Sequence, residues 1–311
     1  MDITTASFSG HESFSLRNTW LTKGVVGCSI DPTLFTRDEA MVLLGVGKNM
    51  VRSIRHWCLA TQVIEEDPEV RNNRGRQMRP TKVGARLFLG ANPWDRYLED
   101  AGTLWLIHWL LATNATRATT WHFAFSEFHQ PTFTRTSLER AVTDRTRRLP
   151  SARATEGTLK RDVDVFIRTY VANSRSSKDA FEDAIECPLA ELDLIYEQAT
   201  SGTYMFVRGP KPTLPDPVFL FALWDYARGL SSRSTVTFDE LAYEPNGVGR
   251  VFKLDEGSLG ERLDRLADLT EGAWKFSETA GLKKVLFLQD VEPYSLLNRY
   301  YFAQRGEEKT L

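Results

Sequence analysis

Cysteine is scarce. The 311 residues hold only Cys28, Cys58 and Cys187, widely spaced and without a CxxC pair. That pattern supports neither a disulfide framework nor a zinc, haem or iron–sulfur site, and it predicts reduced thiols, with Cys58 in a core. Long apolar runs are missing too. The longest, Leu104-Trp-Leu-Ile-His-Trp-Leu-Leu-Ala, is too short to span a bilayer and contains His108, so it reads as a buried helix. The start, Met1-Asp-Ile-Thr-Thr-Ala, has neither a basic region nor an apolar stretch. No secretory leader is expected, and the chain is expected to work in the cytoplasm away from membranes. A phosphate loop is incomplete: Gly45-Val-Gly-Lys-Asn has Val42 where the early glycine belongs and Asn49 where a Ser or Thr belongs, so no nucleotide is expected there. A large charge of one sign is absent as well, since 39 basic residues face 41 acidic ones for a net of −2.

Against that neutral background, positive charge gathers locally. Wound as a helix, Lys48 to Leu59 places Met50, Val51, Ile54, Trp57 and Cys58 on one arc and Lys48, Arg52, Arg55 and His56 on the other. Gly45 and Gly47 supply a turn from a preceding helix, Arg37 to Leu44. Gln62-Val-Ile-Glu and Gln77-Met-Arg-Pro read as the two strands of a hairpin, with Arg71-Asn-Asn-Arg-Gly-Arg at its tip and Thr81 capping a closing helix, Lys82 to Leu89. From Lys48 to Arg86 nine cations stand against four anions, a local excess of five. This is the layout of a winged helix-turn-helix, and it predicts contact with duplex DNA through Lys48, Asn49, Arg52, Arg55, His56, Arg74, Arg76, Arg79 and Lys82.

The fold expected is mainly α, in three parts: a winged-helix domain over 1–90, a helical domain over 91–207 and a winged-helix-like module over 208–311. The first ends near the turn-forming Gly90-Ala-Asn-Pro, and proline-rich Arg208 to Pro217 reads as a linker. In the middle, Leu104 to Leu111, Thr119 to Phe128 and Ser137 to Arg148 each read as a helix, and Thr158 reads as the cap of another bearing Val163, Phe166, Ile167 and Tyr170. Arg135 to Arg168 carries nine cations against five anions, an excess of four that either extends a DNA track or decorates solvated helix faces. Beyond the linker come helices at Pro217 to Gly229, Thr237 to Ala242 and Glu256 to Leu269, then strands at Trp274 to Ser277 and Lys284 to Leu288. The third of these helices is acidic, which suits protein contact better than DNA.

Two carboxylate features bear on chemistry. Asp162 and Asp164 on a strand would share a face and could chelate magnesium, whereas on the helix that the periodicity favours they diverge. His11-Glu12, within Phe8-Ser-Gly-His-Glu-Ser-Phe, lacks the second histidine of a metalloprotease helix, because Ser15 stands there. It offers either a phosphate or metal site or, as the favoured reading, a strand docked on the winged helix with His11 satisfied by hydrogen bonds.

Phe8-Ser-Gly-His-Glu-Ser-Phe, Gly45 to Cys58, Leu159-Lys-Arg-Asp-Val-Asp-Val-Phe-Ile-Arg-Thr-Tyr, Cys187-Pro-Leu-Ala-Glu-Leu and Gly249-Arg-Val-Phe-Lys-Leu-Asp-Glu together resemble the bacterial domain-of-unknown-function family 4007. That family is similar to the B component of the Ssp systems, which place phosphorothioate sulfur in DNA and use the mark against phage. The resemblance implies a DNA-nicking protein that works beside a cysteine desulfurase, a sulfur-transfer enzyme and an ATPase; for nicking, the chemistry expected is magnesium-assisted hydrolysis. It raises Asp162, Asp164, His11 and Glu12 as catalytic candidates. The rival expectation is a non-catalytic DNA-binding adapter or transcription regulator, and either is compatible with a homodimer.

Overall fold

The computed structural model describes residues 6–149, 154–171, 187–198, 202–230 and 233–304. The chain is mainly helical with small antiparallel sheets, and it divides into two compact units. The first comprises Met1–Ala124 and Phe128–Met205, the second Phe125–Glu127 and Phe206–Leu311.

The first unit opens with helix α1 (Asn18–Ile30), whose buried Trp20, Leu21, Val25 and Cys28 pack it on the helix Lys48–Ala60. The Phe8 to Leu21 segment is therefore a turn leading into a helix, not the strand expected of it. A short α2 (Ala40–Leu44) ends at Gly45, whose φ of 64° makes the turn into α3 (Lys48–Ala60). Strands β1 (Ile64–Glu66) and β2 (Met78–Pro80) pair antiparallel, Glu65 opposite Arg79. The Met78 amide also donates to Pro32 O, so the stretch after α1 lies along β2. Thr81 caps α4 (Lys82–Phe88) as expected, its hydroxyl accepting from the Gly84 amide. Gly84 is obligatory by contact: a Cβ there would lie 1.9 Å from Val63 O.

The apolar run forms α5 (Ala101–Ala112), buried on every face. It is followed by α6 (Thr119–His122) and a π-helical turn, Phe123–Glu127. Strand β3 (Thr132–Thr134) runs directly into α7 (Arg135–Arg147), with Thr134 and Ser137 closing a capping box. Helix α8 (Glu156–Tyr170) is capped by Thr155 rather than Thr158; the Thr155 hydroxyl accepts from the Thr158 amide. Strands β4 (Ile195–Glu197) and β5 (Thr203–Phe206) complete a sheet of order β3-β5-β4, with Phe133 opposite Tyr204. The middle region is thus a strand, two helices and a hairpin, with the first strand against the last.

The second unit repeats that order. Helix Asp216–Gly229 precedes β6 (Thr235–Thr237), which enters helix Phe238–Tyr243 through a Thr237–Glu240 capping box. Helices Val248–Val251 and Glu256–Asp264 follow, then β7 (Trp274–Thr279) and β8 (Leu282–Phe287), in sheet order β6-β8-β7. The helix expected over Glu256 to Leu269 breaks at Arg265, and Leu266–Leu269 forms its own turn. Arg208 to Asp216 is no free linker. Arg262 donates to Lys211 O and Leu214 O, both at 2.9 Å, and pairs with Asp216 at 3.0 Å. Cys28, Cys58 and Cys187 are buried thiols outside any disulfide, and burial pushes the Cys28 thiol up to about 12.

Candidate nucleic-acid interface

Helix α3 buries Val51, Ile54, Trp57 and Cys58 and exposes Lys48, Asn49 and Arg52. Trp57 fixes the pose: it is fully buried, and its indole Nε1 donates to Phe14 O at 3.1 Å. Arg52 keeps its guanidinium 57% exposed, with Glu12 Oε1 3.5 Å away. An exposed pair of that length contributes at most about 1 kcal/mol, so Glu12 holds the guanidinium only weakly.

Two expected members of the face are turned away from solvent. Arg55 is half-buried and donates from Nη2 to Gly75 O at 3.2 Å, tying α3 to the hairpin tip. Burial, with Arg117 nearby, lowers its basicity. His56 lies against the N-terminal loop, its ring 5.6 Å from those of His11 and Trp57. Among the described residues its buried Nε2 has no hydrogen-bond partner, and burial first, then His11, Arg117 and Arg55, pushes its pKa down to about 3. The helical wheel placed these two side chains on the cationic arc; the hairpin tip engages Arg55 and the N-terminal loop covers His56.

The hairpin tip is organised by Asn73. Its Nδ2 donates to Asp67 O and Gln77 O at 3.1 and 2.7 Å, and its Oδ1 accepts from the Arg76 and Gln77 amides at 2.9 and 2.7 Å. A side chain that mimics the backbone in this way lets Asn72, Arg74 and Gly75 hold positive φ of 52°, 50° and 72°. Arg74 and Arg76 are thereby exposed beside α3. Arg79, by contrast, is engaged by Glu65 at 2.8 Å, Glu69 at 3.5 Å and Asp67 at 3.8 Å. Arg117 takes Glu66 at 2.6 Å. The carboxylates of the hairpin are thus absorbed by those two arginines, while Lys48, Arg52, Arg74, Arg76 and Lys82 remain exposed. Asn73→Ala is expected to free the tip and destabilise it by about 1–3 kcal/mol, through the orphaned backbone groups. Proteolysis between Asp67 and Gln77 should accelerate in that variant.

The catalytic candidates divide. Asp162 is 1% exposed, and its Oδ1 accepts from the Ser9 amide at 2.6 Å and from His11 Nε2 at 2.9 Å, while Oδ2 accepts from the Thr120 hydroxyl at 2.9 Å. His11 Nδ1 accepts from the Ser13 amide at 3.1 Å, which assigns the ring proton to Nε2 and leaves neither nitrogen open to a substrate. Asp164 diverges to the outer side of α8 and pairs with Arg135 Nη1. Glu12 contacts Arg52. A buried carboxyl group whose two oxygens already accept three hydrogen bonds does not fit a magnesium ligand. Among the described residues no group of three or more His, Cys, Asp or Glu is placed to hold a metal ion. The Asp162–His11 pair instead pins the N-terminal loop to α8, and the Ser53 hydroxyl of α3 donates to His11 O at 2.9 Å. This is the hydrogen-bonded fate expected of His11, reached from a turn rather than a strand. Among the described residues no helix is long and apolar enough to cross a membrane.

The chain is mainly helical and exposes Lys48 and Arg52 of α3 beside Arg74 and Arg76 of the hairpin tip. It belongs to the family described as protein of unknown function DUF4007, whose model matches residues 8–301. Two solved structures are similar to it, each with a TM-score of 0.83 and 29% sequence identity. One, described as an SspB crystal structure, is covered over 90% of its chain by 98% of this one. The other, described as a magnesium ion-bound SspB crystal structure, is covered over 88% by 97%. None of the curated proteins compared matches the chain.

Proposed function

We propose that this chain is the SspB-like component of a DNA phosphorothioation and anti-phage system, and that it grips duplex DNA in the cytoplasm through an N-terminal winged helix. The observation that carries this is the outward face of α3, with Lys48, Asn49 and Arg52 exposed over a buried apolar arc, next to a braced tip exposing Arg74 and Arg76. Backbone phosphates are met by such cations, and a helix seated on its own core meets base edges in a fixed pose. Likeness to SspB supports the system context, and a sulfur-transfer enzyme and an ATPase are the partners that the family resemblance implies. The test is a titration of the full chain with duplex DNA at two salt concentrations. The reading predicts an affinity that falls steeply as salt rises, and salt-independent or absent binding contradicts it.

Two activities fit that surface. The first is magnesium-dependent nicking of one strand, favoured by the similarity to a magnesium ion-bound structure. The second is a non-catalytic adapter, favoured by the internal placement of Asp162 and His11 and the ion pairing of Asp164. Relaxation of supercoiled plasmid with magnesium, abolished by EDTA, decides for the first; intact plasmid under both conditions decides for the second.

A further inference from the structure

We propose that α8 presents a second phosphate-contacting face, so that one duplex runs across α3 and α8 together. The inference rests on the DNA-binding reading above and extends it to Arg135 to Arg168, where the sequence left a DNA track and solvated helix faces as alternatives.

The first support is topological. In the N-terminal part, α2 and α3 are followed by the β1–β2 hairpin, and the stretch at Pro32 bonds to the returning strand. In the middle, β3, α7 and α8 are followed by β4 and β5, and β3 pairs with the returning strand. Helix α8 therefore holds in its group the position that α3 holds in its own.

The second support is the character of the face. Leu159, Val163, Phe166, Ile167 and Tyr170 turn inward, while Lys160 and Arg161 are exposed. Helix α7, packed beside it, exposes Arg140 and Arg147, with Arg148 at its C-cap. The acidic groups of α7 and α8 are Glu139, Asp144, Glu156, Asp162 and Asp164, of which Asp162 is buried, Asp144 lies 3.5 Å from Arg147 and Asp164 is paired with Arg135. Helix Glu256–Asp264, which holds the corresponding position in the second unit, carries Glu256, Glu261 and Asp264. Charge complementarity to a polyanion is thus a property of α8 and not of the layout as such.

The third support is continuity. Arg52 of α3 lies 3.5 Å from Glu12, and Arg168 of α8 donates to Ser13 O at 2.7 Å, so the two helices bracket adjacent residues of one loop. His11 locks that loop to both, its carbonyl on Ser53 of α3 and its ring on Asp162 of α8. The cationic faces of α3 and α8 are held as neighbours by a single anchored turn.

The test is fluorescence anisotropy with a duplex of about 30 base pairs, long enough to extend beyond the groove read by one helix. Kd is measured across a salt series for the full chain, for Lys160→Ala/Arg161→Ala and for Arg52→Ala. The double variant, altered only at exposed positions, is expected to bind about tenfold more weakly and to lose about two from the slope of log affinity against log salt. An unchanged slope and Kd in the double variant, with Arg52→Ala weakened, overturns this inference alone and leaves the DNA-binding reading standing. Absence of salt-dependent binding by the unaltered chain overturns both.

Discussion

Asp162→Ala is expected to lower the melting temperature of the first unit by about 10 °C, the equivalent of about 3–5 kcal/mol for three donors left unpaired together. The carboxylate satisfies three donors at once: the Ser9 amide, the His11 ring and the Thr120 hydroxyl. Alanine orphans all three inside a site that water does not reach, and the cost of unpaired buried donors exceeds the modest net gain of making such bonds. Asp162→Asn retains acceptor capacity but turns an NH2 group toward these donors, so an intermediate loss is expected. A calorimetric melt separates this role from a catalytic one. If Asp162→Ala melts with the unaltered chain yet abolishes nicking, the residue belongs to the chemistry; a large fall in melting temperature assigns it to the anchor. Asp164→Ala breaks only a half-exposed pair with Arg135 and is expected to shift stability by less than about 1 kcal/mol.

That anchor could not be read from the sequence, because His11 and Asp162 lie 151 residues apart and neither local pattern points at the other. What could be read was local. The 3.6-residue period gave α3 to within a residue, Thr81 marked α4, and Val163, Phe166, Ile167 and Tyr170 marked the inner side of α8. The same period showed that Asp162 and Asp164 diverge, though not that one of them is buried against the N-terminal loop. Strands β3, β4 and β5 escaped notice because runs of three or four residues are too short to establish an alternation. Of the nine residues expected at the interface, Lys48, Asn49, Arg52, Arg74, Arg76 and Lys82 are exposed. Arg55, His56 and Arg79 are committed to the tip, the loop and the hairpin carboxylates. A helical wheel gives an angle but not which neighbour fills it. Asn73 drew no attention because its value lies in four backbone contacts that turn composition alone does not reveal.

Mild acid is expected to weaken the fold through His56. Its folded pKa lies near 3 against an ordinary 6.5, because burial and the flanking His11, Arg117 and Arg55 all oppose a charge on the ring. Above pH 6.5 the ring is neutral in both folded and unfolded chains and contributes no pH dependence. Below 6.5 the unfolded chain takes up a proton that the folded chain refuses, so stability falls with pH until the folded ring itself titrates. The slope approaches about 1.4 kcal/mol per pH unit, which amounts to about 2 kcal/mol on going from neutrality to about pH 5. His56→Gln removes the titrating group. The difference in unfolding free energy between the unaltered chain and this variant should therefore narrow or reverse as pH falls over that range. Urea melts at pH 7.5, 6 and 5 measure it, and parallel pH profiles for the two proteins would refute the assignment.

The most direct measurement of the central claim is the salt dependence of duplex binding by Arg52→Ala/Arg74→Ala/Arg76→Ala. These three guanidinium groups stand outward on α3 and on the Asn73-braced tip, and none of them supports the core. The account predicts an unchanged melting temperature, an affinity lower by about a hundredfold or more at moderate salt, and a log–log salt slope reduced by about three. Binding that retains the full slope and affinity in this variant would contradict it.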